Sequence, residues 1–325
     1  MIEKKHIKCI KRTHCGPFYD NFIVYIKNDY VKTNICDLRI MNKPIIIKYQ
    51  EHKLIQYEYY IRIRVRHPFL INILFSFQDY DNLFLVSEYA NTNLIEFLKI
   101  KNAFSKKVAV FYISELILAL EYLHKCDLTY GFLTHDHIFI NDNGHIKLKF
   151  DFLNSIIEKK DGIKDFIEYT SPEFLKKNEH TIYSDIWSIG IIFYFLLIGY
   201  TPFFTGSYDT TRSGILDLNV TFPNYIDKET KILISKCLAK NPKHRLSFKE
   251  IKNHTVFKKI DWEKMANKNV EPPFFFDEIS KYKDAYPADL DKLYTTDYYK
   301  NQKKDGYGKV FRYFGTVDVQ NPYVK

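Results

Sequence analysis

Asp185-Ile186-Trp187-Ser188-Ile189-Gly190-Ile191-Ile192-Phe193-Tyr194-Phe195-Leu196-Leu197-Ile198-Gly199-Tyr200-Thr201-Pro202-Phe203 is the stretch that decides the fold. An uncharged run extends from Ile186 to Gly206, broken by Ser188, Thr201, Pro202 and Thr205. Its apolar heart, Ile189 to Gly199, falls short of the ~20 residues that a membrane-spanning helix needs. An all-round apolar helix of this length is buried in a protein core. Helical periodicity continues on both sides of it. Lys106–Cys126 sets Phe111, Leu116, Leu120 and Leu123 on one stripe; Leu94–Lys101, Thr230–Lys240 and Ser247–Lys252 are also helical in pattern. Between the helices, Ile138–Ile140 and His145–Lys149 flank Asn141-Asp142-Asn143-Gly144, a hairpin. Residues 14–90 differ in texture. Phe22–Ile26, Pro44–Lys48, Leu74–Phe77 and Leu83–Ser87 are short β-branched and aromatic runs, predicted as strands. A helix from about Lys53 to Val65 interrupts them, and Asp79–Asn82 makes a turn. From about Asp261 the chain is irregular and rich in Tyr, Lys and Asp. The pattern is α+β: a β-rich small lobe, a helical large lobe and a trailing extension.

The totals set outer bounds. The 325 residues are 46% apolar and 27% charged, a globular composition. Eleven glycines are roughly half the usual ~7%. The 26 Tyr and 27 Phe go the other way, as an AT-biased coding sequence would make them. A net charge of +9 permits acidic partners without selecting one. The five cysteines form no C-x-x-C pair and suit a reducing compartment. The start Met1-Ile2-Glu3-Lys4-Lys5-His6 has no apolar signal core and no myristoylation site, and Pro322-Tyr323-Val324-Lys325 is no prenylation site. The expectation is a soluble cytoplasmic or nuclear protein with no membrane anchor.

Taken in order, these strings resemble the eukaryotic protein kinases. Asp185 to Gly190, followed by Gly199-Tyr200-Thr201-Pro202-Phe203, looks like the central helix of the kinase large lobe. Ser171-Pro172-Glu173 resembles the A-P-E motif, with Arg245 at the position of its ion-pair partner. Tyr122-Leu123-His124 leading into Tyr130 is similar too. Ile45-Ile46-Ile47-Lys48 resembles the V-A-I-K strand, Glu58 the helix-C glutamate, and Glu88-Tyr89-Ala90 the hinge. Lys259-Ile260-Asp261-Trp262-Glu263, Val270-Glu271-Pro272-Pro273-Phe274 and Phe311-Arg312-Tyr313-Phe314 resemble the tail of AGC-group kinases, nearest in look to the cyclic-AMP- and cyclic-GMP-dependent kinases. The resemblance implies a two-lobe kinase-like domain over residues 12–256, with the small lobe at about 12–89 and the large lobe at about 90–256. Residues 257–325 become an AGC-type extension whose F-x-x-F motif docks on the small lobe.

The resemblance breaks at the positions that carry chemistry. Phosphoryl transfer needs positioned phosphates, Mg²⁺ held by oxygen ligands and a carboxylate that orients the substrate hydroxyl. Against the catalytic loop stands Tyr130-Gly131-Phe132-Leu133-Thr134-His135-Asp136-His137. Phe132 takes the catalytic Asp position, and a phenyl ring accepts no proton. Thr134 replaces a phosphate-neutralising Lys. His137 replaces a Mg²⁺-binding Asn, a poor exchange for a hard cation. Family spacing from His137 puts Phe150 at the metal Asp of D-F-G. A one-residue insertion would instead put Asp151 there, with Leu153 in place of the glycine; the ungapped register is preferred. Cys15-Gly16-Pro17-Phe18-Tyr19-Asp20-Asn21 stands where a glycine-rich phosphate loop would be, with bulk and a carboxylate in the way. Ile46 and Phe139 narrow the adenine site, and Ser87 is a small gatekeeper. Ser155 is the only hydroxyl from Asp151 to Glu168, Gly162 sits at the phosphothreonine position, and Phe195 replaces a substrate-reading glutamate.

The implied function is that of a pseudokinase of the AGC serine/threonine family, a scaffolding or allosteric module. Its implied partner is a protein, such as a kinase regulatory subunit or an active kinase. No cofactor and no metal site are expected; His135-Asp136-His137 is a polar loop. The vestigial ATP site comprises Lys48, Glu58, Glu88, Ala90, Ile46 and Phe139. The alternative is an active kinase with relocated carboxylates, Asp136 or Asp151, using ATP with Mg²⁺. A third reading has Tyr298–Lys309 binding nucleic acid by stacking and charge; the adjacent F-x-x-F motif makes that stretch a kinase tail instead.

Overall fold

The computed structural model describes residues 6–16, 18–26, 35–90, 92–94, 98, 102–150, 166–275, 288–289, 307 and 309–314. Pro17, Asp151 to Leu153, Ser155, Gly162, most of Leu94–Lys101 and most of Tyr298–Lys309 lie outside them. The described residues divide into two compact units. One takes in 6–66, 71–90 and the tail residues from 288 onward. The other takes in 67–70 and 92–275.

The first unit is a six-stranded antiparallel sheet: β1 (Ile7–Cys15), β2 (Tyr19–Ile26), β3 (Ile35–Asn42), β4 (Ile73–Gln78), β5 (Asn82–Glu88) and β9 (Ala288–Asp289), in the order β4-β5-β3-β2-β1-β9. Strand alternation sorts the side chains by face. Phe22, Val24 and Ile26 of β2, Cys36, Leu38 and Ile40 of β3, and Phe84 and Val86 of β5 bury one face. The other face of β3 carries Asp37, Arg39 and Met41, opposite Ile23, Asn21 and Tyr19 of β2. Two helices follow β3: α1 (Lys43–Lys48) and α2 (His52–Arg64). Here the sequence reading fails, because Pro44–Lys48 is helix rather than strand. The Asn42 side chain accepts from the Ile45 N–H at 3.1 Å, and proline sits in the first turn. An Asn cap followed by Pro starts a helix, whatever the β preference of three isoleucines. The true strands β1 and β3 went unread.

The second unit is built on α3 (Lys106–Lys125) and α5 (Ile182–Ile198), with α4 (Pro172–Lys177), α6 (Tyr208–Asp217), α7 (Lys228–Cys237), α8 (Phe248–Lys252) and α9 (Trp262–Ala266) around them. As its composition requires, α5 is buried along nearly all its length. It ends at Gly199 with φ 93°, where a Cβ would stand 2.4 Å from the Asn102 carbonyl. A small sheet, β6 (Thr92–Asn93), β7 (Ile138–Ile140) and β8 (Ile146–Leu148), contains the expected hairpin. Its turn uses Gly144 at φ 77°, where a Cβ would meet the Phe274 carbonyl at 1.8 Å. Buried Glu115 holds the hairpin to α3. It takes a 2.5 Å contact from His145 Nδ1 and a 2.8 Å hydrogen bond from the Ile146 N–H. Burial raises the Glu115 pKa, and these partners oppose the rise. The Glu173–Arg245 pair is present as a bidentate contact, 2.7 Å on each oxygen. Burial works against the Glu173 charge, but Arg245 outweighs it and lowers the pKa. No helix among the described residues is long and apolar enough to cross a membrane.

Candidate functional site

The first unit carries the small-lobe positions singled out in the sequence. The basic partner of Glu58 is Arg39 on β3, not Lys48. Arg39 Nη1 lies 3.3 Å from Glu58 Oε1, and Arg62 Nη1 lies 3.1 Å from the same oxygen. All three side chains are buried. Lys48 ends α1 and is exposed. Ile46, expected over the adenine, is buried on α1 instead; the β3 residue one alternation from Arg39 is Asp37. Two guanidinium groups on one carboxylate leave a buried net positive charge, which costs desolvation unless other groups share it. The surroundings do so. Arg39 Nε donates to Asn21 Oδ1 at 3.3 Å, and its guanidinium lies 4.3 Å from the centre of the Tyr19 ring. Tyr19 in turn stacks on His14 at 5.0 Å. The ends of β1 and β2 therefore lay the rings of His14 and Tyr19 against Arg39, the β3 cation that meets Glu58. Asp20, which looked repulsive to phosphate, is paired with Arg12 at 2.7 Å. In the hinge string, Glu88 Oε2 accepts from the Asn72 N–H and side chain at 3.0 and 3.1 Å, and Ala90 is buried.

The second unit carries the large-lobe positions. Asp185 on α5 accepts from the backbone N–H groups of Tyr130 and Gly131, both at 2.9 Å, and stands 2.6 Å from His124 Nε2. The loop that follows is thus anchored. Phe132 is buried in it, packed edge-on against Phe174 at 5.0 Å and His180 at 4.2 Å. Thr134 is buried, and its N–H donates to His137 Nδ1 at 3.3 Å. That bond commits a nitrogen where the resemblance puts a metal-binding oxygen. His135 stacks on Tyr169 and meets its hydroxyl at 2.6 Å, with Phe195 edge-on at 4.6 Å. Burial pushes the His135 pKa down against the pull of Asp136. The Asp136 side chain is half exposed, and Asn93 donates to its Oδ1 at 3.3 Å. Phe139 on β7 is half-buried. Phe150 is buried against Tyr130 at 5.6 Å. Among the described residues, no cluster of three His, Cys, Asp or Glu side chains is arranged to hold a metal.

Among the described residues, the two that the resemblance aligns with metal ligands, His137 and Phe150, do not fit Mg²⁺. The described ligand positions are an engaged imidazole and a buried phenyl, neither of which offers a hard oxygen. Sequence reasoning missed Arg39 and Arg62, and it read Tyr19 and Asn21 as part of a loop where the structure has strand β2. One available signal was the alternation Cys36, Leu38, Ile40 against Asp37, Arg39, Met41, a half-buried strand.

A β-sheet lobe, a helical lobe built on a buried α5, and the Glu173–Arg245 and Asp185 anchors define the class: the chain belongs to the protein kinase family, whose domain model matches residues 29–257. Its relatives are AGC-like serine/threonine kinases. Protein kinase 2 of Dictyostelium discoideum is 34% identical over 244 residues, 73% of this chain and 51% of that protein. The cAMP-dependent protein kinase catalytic subunit PRKX of Mus musculus is 29% identical over 269 residues, 79% of this chain and 76% of that protein. Human RAC-beta serine/threonine-protein kinase is 32% identical over 247 residues, 73% of this chain and 51% of that protein. The chain thus spans about half the length of the first and third of these relatives.

Proposed function

We propose that this chain is a pseudokinase, a kinase fold used as a protein-binding and allosteric module rather than as a phosphotransferase. The observation that carries the reading is Phe132. At the position of the hydroxyl-orienting carboxylate it presents carbon, packed between Phe174 and His180. A positioned acid–base group contributes about 10²–10⁴ to a rate, and no atom of the Phe132 ring accepts a proton. The ring column His14–Tyr19–Arg39 supports the same reading from the small lobe. The partner this reading calls for is a protein, such as a kinase regulatory subunit or an active kinase.

The test is transfer of labelled phosphate from ATP, with Mg²⁺ and separately with Mn²⁺, to basic serine and threonine peptides. No transfer above a heat-denatured control is expected. Transfer abolished by Asp136→Asn or Asp151→Asn would overturn the proposal, because it would show a relocated carboxylate at work.

A further inference from the structure

The outer side of α2 carries a groove that the phosphate-site reading does not use. Lys53, Tyr57, Tyr60 and Arg64 follow one another at three- and four-residue spacing and share one helix face. The buried set Ile55, Glu58, Tyr59, Ile61 and Arg62 lies elsewhere on the helix. The tail docks beside that exposed face. Phe311 and Phe314 are 1% and 3% exposed. Tyr59 stacks on Phe314 at 4.2 Å, and Gln78 donates to the carbonyls of Phe311 and Phe314 at 3.1 and 2.7 Å. The docked motif leaves a cavity of about 600 Å³ between helix and tail. Tyr57, Tyr60 and Tyr313 border it and remain 55%, 54% and 68% exposed.

The chemistry of the groove has a sign. Arg64 lies 3.5 Å from the centre of the Tyr60 ring, and Arg312 lies 4.5 Å from that of Tyr313. Lys53 stands at the other end of the helix face, and among the described residues no Asp or Glu lines the cavity. Tyr and Arg are the residue types that concentrate in binding hot spots, since they give large contact area with few rotors. A floor of tyrosine rings wants apolar side chains above it, and a rim of cations wants carboxylates.

We infer that this groove is a docking site for a short segment of a partner protein, one carrying aromatic or aliphatic side chains flanked by Asp or Glu. The inference goes beyond the pseudokinase reading, because the groove exists whether or not phosphate is transferred. A random-peptide display library, selected on the full chain without nucleotide, tests it. Acidic sequences with aromatic or aliphatic residues should be enriched, and a synthetic peptide of that sequence should bind by fluorescence anisotropy. Its affinity should fall about tenfold or more in Tyr57→Ala/Tyr60→Ala and should weaken with added salt. Lys53→Glu/Arg64→Glu should abolish it. The substituted side chains are exposed, so an unchanged Tm will show that the variants fold. Several results would overturn the inference. One is enrichment of neutral or basic sequences; another is binding indifferent to both double variants. Self-association lost with Tyr57 and Tyr60 would assign the groove to a second copy, and phosphatidylserine vesicles binding there in place of peptide would assign it to lipid. None of these outcomes touches the phosphotransfer test.

Discussion

Truncating Arg39 and Lys48 separately to alanine, each with and without Glu58→Ala, decides which cation belongs to the helix-C glutamate. The structure puts Glu58 between Arg39 at 3.3 Å and Arg62 at 3.1 Å, all three buried. Removing Glu58 takes the shared carboxylate from two buried guanidinium groups, and breaking a buried pair from one side costs about 3–5 kcal/mol. Removing Arg39 is less damaging, because Glu58 keeps Arg62. What is lost is the charge-assisted hydrogen bond to Glu58, about 1.5–3 kcal/mol, the bond to Asn21, and the cation–π contact to Tyr19, about 1 kcal/mol. These overlap, and both hydrogen bonds are long at 3.3 Å, so a total of about 2–3 kcal/mol is expected. Lys48 is exposed and should change stability by no more than about 0.5 kcal/mol. In urea unfolding followed by circular dichroism, Arg39→Ala and Glu58→Ala should couple by about 1–2 kcal/mol, and Lys48→Ala with Glu58→Ala by about zero. A silent Arg39→Ala, together with measurable coupling between Lys48 and Glu58, would refute the assignment.

Three other perturbations bear on the frame that holds the site. Glu173→Gln leaves Arg245 buried without its counter-charge and should lower unfolding stability by about 3–5 kcal/mol. Gly144→Ala should cost about 1–3 kcal/mol in the same measurement, because the new Cβ would sit 1.8 Å from the Phe274 carbonyl; a neutral result would mean the tail strap does not lie there. Burial, then Lys268 and Lys147, lower the His67 pKa from 6.5 to about 4. The unfolded chain therefore takes up a proton below pH 6.5 that the fold refuses. Stability from this group is complete above pH 6.5 and lost as pH falls toward 4. A Tm series across that window should show the decline, and His67→Gln should flatten it.

The large lobe was more legible than the small one. A long apolar helix with Gly199 after it and Pro202 beyond admits one reading, and paired strings such as Glu173 and Arg245 fix each other. Most expected helices and the β7–β8 hairpin stand within a few residues of their reading. The small lobe misled at Pro44–Lys48, where a triplet of isoleucines outweighed the Asn42-Lys43-Pro44 start signal. That error displaced the strand cation to Lys48 and the adenine-facing residue to Ile46. The strand that carries Arg39 is half polar, so its alternation is weak, and a cation–carboxylate contact across 19 residues of sequence depends on tertiary packing that no local pattern encodes. The departures from the kinase pattern at Phe132, His137 and Phe150 were readable from residue type alone. Their burial, and the ring packing around Phe132, could only come from the fold. The glycine shortage also gains meaning. Gly199 and Gly144 remain where backbone φ is positive, while the stretch from Cys15 to Tyr19 keeps one glycine and the strands on either side of it stack His14 on Tyr19.

Thermal unfolding of the full chain with ATP, with and without Mg²⁺, is the most direct measurement of the central claim. A ligand bound only by the folded state raises Tm through RT ln(1 + [L]/Kd), which is about 2.7 kcal/mol at a hundredfold excess over Kd. The proposed reading, with His137 and Phe150 at the metal positions and Arg39 covered by Tyr19, predicts no Mg²⁺-dependent rise in Tm at millimolar ATP. A clear rise that requires Mg²⁺ would contradict the account.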